Sequence, residues 1–338
     1  MHLNVVWQID NSNRRGIKPR EFGWICHLLR SFSLEHIFDG SYEIIPRTPF
    51  LIVAEGFHDT ERIESYLQLI RSKGYPAGLI HIGDEARDTD LQFYQSADFV
   101  FRNYWKPIVN TLDQCHFLPL GPNCDLAHFD RSDKDIGSRP HTWSFAGQIR
   151  PGPRRHLFDA AYSRRDGRLF ATTFFNSGLP EDQYVDLLHD SQFVLCPSGY
   201  VYPESYRFYE ALEAGCIPVV EDRASIDLVQ QRGLKGVNAA IRGSSLSYNL
   251  HLLKDMLSRE SYWDSAYNGD FPCPRLYHWK QLPQILTRKD LIRLQFIIMD
   301  WWRSYKGSIS RKLTHLLKQL FVSYPSYTLS QAEVRLNS

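Results

Sequence analysis

The sequence predicts an α/β protein with two successive parallel sheets, on three observations. Short apolar runs recur with helix-like segments between them, the signature of alternating strands and helices. The alternation stops in a polar stretch around Asp130 to Pro140 and then restarts, and from about Asp290 the chain reads as helix alone. A length of 338 residues and a mass of 39.5 kDa agree, since they make about two domains with ample material for buried cores.

The first set of runs is NVVWQI (4–9), FLIVAEG (50–56), AGLIHIG (77–83), DFVFRNYW (98–105) and HFLPLG (116–121). The second is WSFAGQI (143–149), RLFATTFF (168–175), QFVLCPSG (192–199) and CIPVVED (216–222). These runs place an N-terminal domain at 1–138, a second domain at 139–288 and C-terminal helices with a tail at 289–338. Parallel sheets bind ligands beyond the carboxyl ends of their strands, so the site is expected in a cleft between the domains. The segment from Asp290 reads as two helical stretches with apolar faces that pack back on the body. A second reading takes Trp301 and Trp302 with Arg303, Lys306, Arg311, Lys312 and Lys318 as a face for peripheral membrane contact.

Composition excludes several classes. With 43% hydrophobic and 23% charged residues the chain is neither disordered nor a small disulfide knot. Thirty-nine Lys+Arg against 38 Asp+Glu give a net charge of +1, so no global field holds a nucleic acid and any anion site is local. Six cysteines form no C-x-x-C pair and read as reduced thiols; Cys115-His116 with Cys124 is the nearest approach to a zinc set, and buried thiols are the preferred reading. The opening MHLNVVWQIDNSNRR holds an apolar run too short for a signal peptide or anchor, which gives a cytoplasmic expectation.

The stretch from Phe193 to Asp222 carries the most chemistry. It has the form strand, loop, helix, strand: Pro197, Ser198 and Gly199 end a strand in a turn, and a helix begins near Ser205. Unpaired backbone N–H groups and the helix dipole favour an anion at such a start, and a phosphate is the natural occupant. Arg207 in the first turn can make two parallel hydrogen bonds to a diphosphate, while Glu210, three residues on, can accept from ribose hydroxyls. The competing reading is an Arg207–Glu210 ion pair on a solvated helix face.

These residues resemble the donor-binding segment of the exostosin family of glycosyltransferases. The matching features are the Pro197-x-Gly199 turn, Ser205, the Arg207-Phe208-Tyr209-Glu210 step and Gly215-Cys216-Ile217-Pro218-Val219. A second similar element runs from Ser144 to Ala161, SFAGQIRPGPRRHLFDAA. There Gly147 permits a tight turn after a strand, and Arg150, Arg154 and Arg155 cluster near a helix start, with Arg155 the most exposed candidate. The resemblance implies a GT-B fold, two Rossmann-like domains facing a cleft with C-terminal helices crossing back. It further implies an inverting, metal-independent transferase that needs no cofactor, takes a nucleotide-sugar, UDP-sugar favoured, and glycosylates a hydroxyl of a glycan acceptor.

A base to deprotonate that hydroxyl is expected at a strand end in the N-terminal half. Asp84 and Glu85, in HIGDEARDTD (81–90), come first; Glu55 and Asp10 hold equivalent places, and His81 and His58 are alternative bases. FRNYWKP (101–107) reads equally as an aromatic acceptor platform, from Arg102, Asn103, Tyr104 and Trp105, or as core. The strings Asp88-Thr89-Asp90 and Asp133-Lys134-Asp135 are too short to indicate a metal, and no metal site is expected. Two other functions stay open. One is a GDP-fucose-dependent fucosyltransferase, suggested by Ala211-Leu212-Glu213-Ala214-Gly215 with Pro218-Val219-Val220, in which Glu204 would bind ribose. The other is a non-catalytic module that binds a sugar nucleotide or glycan.

Overall fold

In the computed structural model, the described residues are 1–9, 18–55, 60–85, 92–105, 107–129, 135–149, 153–174, 177–199, 203–222 and 261–323. The chain forms two compact units, one of Met1–Pro119 with the chain from Lys306 on, the other of Leu120–Tyr305.

The first unit is built on six parallel strands: β1 (His2–Gln8), β2 (Ser33–Phe38), β3 (Phe50–Glu55), β4 (Gly78–Ile82), β5 (Phe99–Arg102) and β6 (Cys115–Phe117), in the order β2-β1-β3-β4-β5-β6. Strands covered on both faces read as continuous apolar runs, and β3, β4 and β5 are buried almost throughout. For that reason β5 does not divide its side chains between core and solvent: Phe99, Val100, Phe101 and Arg102 are all buried. Helix α1 (Phe22–Leu28) follows β1, and α2 (Thr60–Ser72) follows β3. Ile63, Tyr66, Leu67 and Ile70 make one stripe of α2 and pack with Val6, Ile52, Leu79 and Val100, each such buried side chain contributing about 1.5–3 kcal/mol. Gly78 is required at its place because a Cβ there would run into the ring of Phe99. Strand β2 has no apolar run, since as an edge strand it is only partly covered, and the sequence reading passes over it.

The second unit holds five parallel strands: β7 (His141–Gln148), β8 (Gly167–Thr172), β9 (Ser191–Cys196), β10 (Ile217–Glu221) and the two-residue β11 (Arg275–Leu276). Helices α3 (Pro153–Ala161), α4 (Glu181–His189) and α5 (Tyr206–Glu213) follow β7, β8 and β9. The order β11-β10-β9-β7-β8 reverses direction between β7 and β9. In open parallel sheets a ligand binds outside the carboxyl ends of the strands at such a switch point.

The unit boundary falls before the polar stretch around residue 138. Asp135 caps a short 3-10 turn by accepting from Gly137 N at 3.1 Å, and Ile136 is fully buried. Arg139 is 5% exposed and donates to the carbonyls of Ser191 (2.9 Å) and Ala214 (3.0 Å), so this polar segment serves as interior anchorage within the second unit.

Beyond residue 290 the two expected helical stretches are one helix, Leu291–Ser323. Gly307 costs about 1 kcal/mol of helix propensity, which the stripe Ile298, Trp302, Ile309, Leu313, Leu317 and Leu320 outweighs by burial. Through Tyr305 this helix belongs to the second unit and from Lys306 to the first. Trp302 is 1% exposed and donates from Nε1 to Glu213 at 2.8 Å; Trp301 is half-buried, stacked on Tyr305 and edge-on to Tyr267. The expected membrane face therefore loses its tryptophans to an aromatic core. No helix among the described residues is long and apolar enough to cross a membrane.

Candidate functional site

The switch point of the second unit gathers most of the expected donor residues. Strand β7 ends in Ala146, Gly147 and Gln148, β9 is followed by Ser198 and Gly199, and α5 starts immediately after Ser205. Arg207, in the first turn of α5, donates from Nε (3.0 Å) and Nη2 (2.5 Å) to the carbonyl oxygen of Ala146, and its guanidinium lies 4.6 Å over the ring of Phe145. Gly147 has φ +151°, and a Cβ built on it would collide with Arg207 Nη2. The glycine thus serves the arginine as well as the turn. Arg154 is 9% exposed and donates to the carbonyls of Ser198 (3.4 Å) and Gln148 (3.3 Å), tying the two strand ends together. Ser205 caps α5 in extended conformation, yet its buried Oγ finds no hydrogen-bond partner among the described residues. A hydroxyl left thus beside a helix start, where free N–H groups gather, suits an anion's oxygen.

Three expectations change here. Glu210 makes no pair with Arg207. Its carboxylate is buried and accepts from Tyr184 OH (2.7 Å), Asn123 N (3.2 Å) and Cys124 Sγ (3.5 Å), so it braces α5 against the 121–124 segment where an open ribose acceptor was expected. Burial, followed by the charge of Glu210, pushes the Tyr184 hydroxyl and the Cys124 thiol up, which keeps both as donors. Ser198 gives both N (3.1 Å) and Oγ (2.8 Å) to Glu221 Oε2; no local signal had pointed to Glu221, at the end of β10. Glu204, the ribose-binding acid of the GDP-fucose reading, is 1% exposed and accepts from Tyr209 OH and, at 2.7 Å, from Tyr262 OH. Enclosed by tyrosines, it is a core carboxylate. Arg155 lies on the surface, paired with Asp159 at 3.0 Å. Arg150 is outside the described residues.

In the first unit Glu55, Asp84 and Glu85 lie at the carboxyl ends of the neighbouring strands β3 and β4, with Glu55 in register with Ile82. Asp84 is 1% exposed and binds Arg102 Nη2 at 2.7 Å; Arg102 is itself fully buried and also donates to Asn103 O at 3.1 Å. That ion pair withdraws Asp84 from solvent and from any acceptor hydroxyl, leaving its half-buried neighbour Glu85 and Glu55 as the accessible carboxylates. His81 is also interior, its Nδ1 at 2.6 Å from Tyr94 OH, and is removed as an alternative base. Asn103 accepts from Gly83 N at 3.2 Å, and Tyr104 is 6% exposed, so of the acceptor platform only half-buried Trp105 remains.

Asp10, His58, Asp88, Thr89, Asp90, Asp133 and Lys134 lie outside the described residues. Among the described residues no cluster of His, Cys, Asp or Glu could hold a metal ion. The cysteines are free thiols, and burial raises Cys115 to about 11.

Comparison with known proteins bears on the second half of the chain most directly. The chain is 32% identical over 145 residues to human ribitol-5-phosphate xylosyltransferase 1, covering 41% of this chain and 27% of that protein. It is 26% identical over 305 residues to the mouse protein of the same name, covering 82% of this chain and 60% of the relative. In each case the chain spans less than two thirds of the relative's length. Among solved structures an α1,3-fucosyltransferase aligns with a TM-score of 0.40 at 14% identity, covering 88% of this chain and 90% of that one. Residues 176–322, which include α4, β9, α5 and most of the long helix, match the model of the RXYLT1 C-terminal domain family.

Proposed function

We propose that this chain is an inverting, metal-independent glycosyltransferase of GT-B type that moves a sugar from a UDP-sugar to a hydroxyl of a glycan acceptor. The observation that carries the reading is the switch-point cluster of Gly147, Arg154, Ser205 and Arg207, where a helix start, a buried unbonded hydroxyl and two arginines meet. The xylosyltransferase names of the relatives make UDP-xylose the first donor to test and a ribitol phosphate the first acceptor.

In this reading the start of α5 and Arg207 take the diphosphate, and Arg154 holds the loop that contacts it. Glu85 accepts the proton of the acceptor hydroxyl. The hydroxyl oxygen bonds to the anomeric carbon as the bond from that carbon to the phosphate oxygen breaks, which inverts configuration. Negative charge developing on the leaving UDP is met by guanidinium and helix dipole, so no divalent cation is required. The exostosin likeness of Pro197 through Val219 supports the UDP preference. The enclosure of Glu204 by Tyr209 and Tyr262 weighs against the GDP-fucose reading.

The test is thermal-shift titration with UDP, UDP-xylose, GDP and CMP, each with and without EDTA, because a ligand of the native state raises its apparent stability. Stabilisation by UDP and UDP-xylose that survives EDTA is expected. Stabilisation by GDP alone, or only with a divalent cation, overturns the corresponding part of the reading, and donor binding with no turnover on any acceptor leaves a non-catalytic module.

A further inference from the structure

Away from the strand ends, the first unit carries a groove of about 600 Å³ lined by Arg30, Ser31, Ser310, Arg311, Thr314, His315 and Lys318. Among the described residues, no carboxylate and no apolar side chain lies in that lining. Arg311, Thr314, His315 and Lys318 stand at i, i+3, i+4 and i+7 and so share one face of the long helix. The opposite wall is the turn between α1 and β2. The two walls are joined by Ser310 Oγ donating to Leu28 O at 2.8 Å and by Ser31 Oγ at 3.2 Å from Thr314 Oγ1. Arg30 donates to His27 O at 2.9 Å, and Arg311 lies over Gly307, where a Cβ would approach Nη1 to 3.1 Å. Three permanent cations, an imidazole and three hydroxyls belong to the residues that line this one hollow.

We propose that this groove is a second anion site, taking a phosphate ester of a phosphate-bearing acceptor chain. Guanidinium and ammonium donors beside hydroxyls are the groups that bind phosphate oxygens. The groove opens at the amino end of β2, while Glu55 and Glu85 stand at the carboxyl ends. A six-residue strand separates the two levels by about 20 Å. An acceptor reaching both must therefore be a chain, with the phosphate in the groove belonging to a unit remote from the one that reacts. A lipid headgroup is the weaker occupant, since membrane faces combine cations with inserted apolar side chains, and here Trp302 is core and the lining has none.

The inference rests on the glycan-acceptor reading for the identity of the chain, but its test reads the groove directly. The ring signals of His315, assigned by His315→Gln, are followed by NMR in the whole protein during titration with inorganic phosphate, ribitol 5-phosphate, ribitol and UDP. Saturable shifts with both phosphates, none with ribitol, and at least about tenfold weaker binding in an Arg311→Ala/Lys318→Ala double variant are expected. Equal response to ribitol, no saturable shift with either phosphate, or a double variant that binds like the parent overturns the proposal. So does variant-sensitive sedimentation with phosphatidylserine vesicles in the absence of a ribitol 5-phosphate response, which would assign the groove to a membrane. Retained stabilisation of the double variant by UDP shows that the fold and the donor site are intact. A groove that responds while UDP fails to stabilise the protein leaves this inference standing and removes the donor reading.

Discussion

The guanidinium of Arg207 occupies the space that a side chain at residue 147 would need. Gly147, at φ +151°, leaves that space open, and Arg207 closes it with two bonds to the carbonyl of Ala146. Glycine and arginine are 60 residues apart in sequence yet form one device, in which the backbone of β7 aims a cation carried by α5.

It follows that Gly147→Ala should imitate Arg207→Ala. Hydrogen bonds to charged groups contribute about 1.5–3 kcal/mol, so each variant is expected to weaken UDP binding by about 10- to 100-fold. Arg207→Lys should recover little, because one ammonium cannot bond Ala146 and span a diphosphate as a guanidinium does. Calorimetric titration with UDP reads the effect, with circular dichroism as the check on folding. Parental affinity in Gly147→Ala would separate the glycine from the site.

Adjacent carboxylates in the first unit should behave in opposite ways. Asp84 is paired with Arg102 in the interior, and removing one partner of such a pair costs about 3–5 kcal/mol, so Asp84→Asn and Arg102→Met should lower the urea midpoint sharply. Glu85→Gln should leave the midpoint near that of the parent and reduce kcat by about 100-fold or more. Turnover unchanged in Glu85→Gln removes Glu85 as the base and passes the test to Glu55.

Stability should fall on mild acidification through His116. Its pKa is lowered to about 4, first by burial and then by the charge of Lys312, while the unfolded chain keeps the ordinary value of 6.5. A folded-state pKa below the unfolded one means that the unfolded chain binds more protons between the two values. The contribution is therefore complete above about pH 6.5 and is lost as pH falls toward 4. With the ring half-exposed, solvent screening reduces the effect to about 1–2 kcal/mol. Urea midpoints from pH 7 to 4.5 should decline more steeply for the parent than for His116→Gln, and parallel curves would contradict the assignment.

Strands β3, β4, β5, β7, β9 and β10 were legible because a parallel strand covered on both faces must be apolar along its length. The same rule hid β2, an edge strand whose side chains alternate, and β11, two residues whose place is fixed by pairing with Val220 and Glu221. In the site, Gly147, Ser205 and Arg207 could be placed by turn and helix-start chemistry, which is local. The partners could not. Arg207 bonds a carbonyl 61 residues away, Glu210 a tyrosine 26 residues away and Ser198 a glutamate 23 residues away, and these choices are made by sheet order. Helical spacing alone left open an Arg207–Glu210 pair, the competing reading, and tertiary structure does not form it.

Glu210 supplies the sharpest contrast between the two sources of information. As the brace of α5 it accepts from Tyr184, Asn123 and Cys124, and Glu210→Ala would leave buried donors without an acceptor, at about 1–3 kcal/mol for each. A glutamine keeps one carbonyl oxygen, so Glu210→Gln should lose about half as much stability as Glu210→Ala. Tyr184→Phe, which removes one bond from the other side, should fall in the same range. UDP affinity measured at a temperature where each variant is folded should stay within about threefold of the parent, because the proposed diphosphate contacts of Arg207 and the α5 start are untouched. A tenfold loss of UDP affinity in Glu210→Gln with an unchanged urea midpoint would reverse the assignment, showing that the carboxylate turns from Tyr184 to the nucleotide when the donor binds.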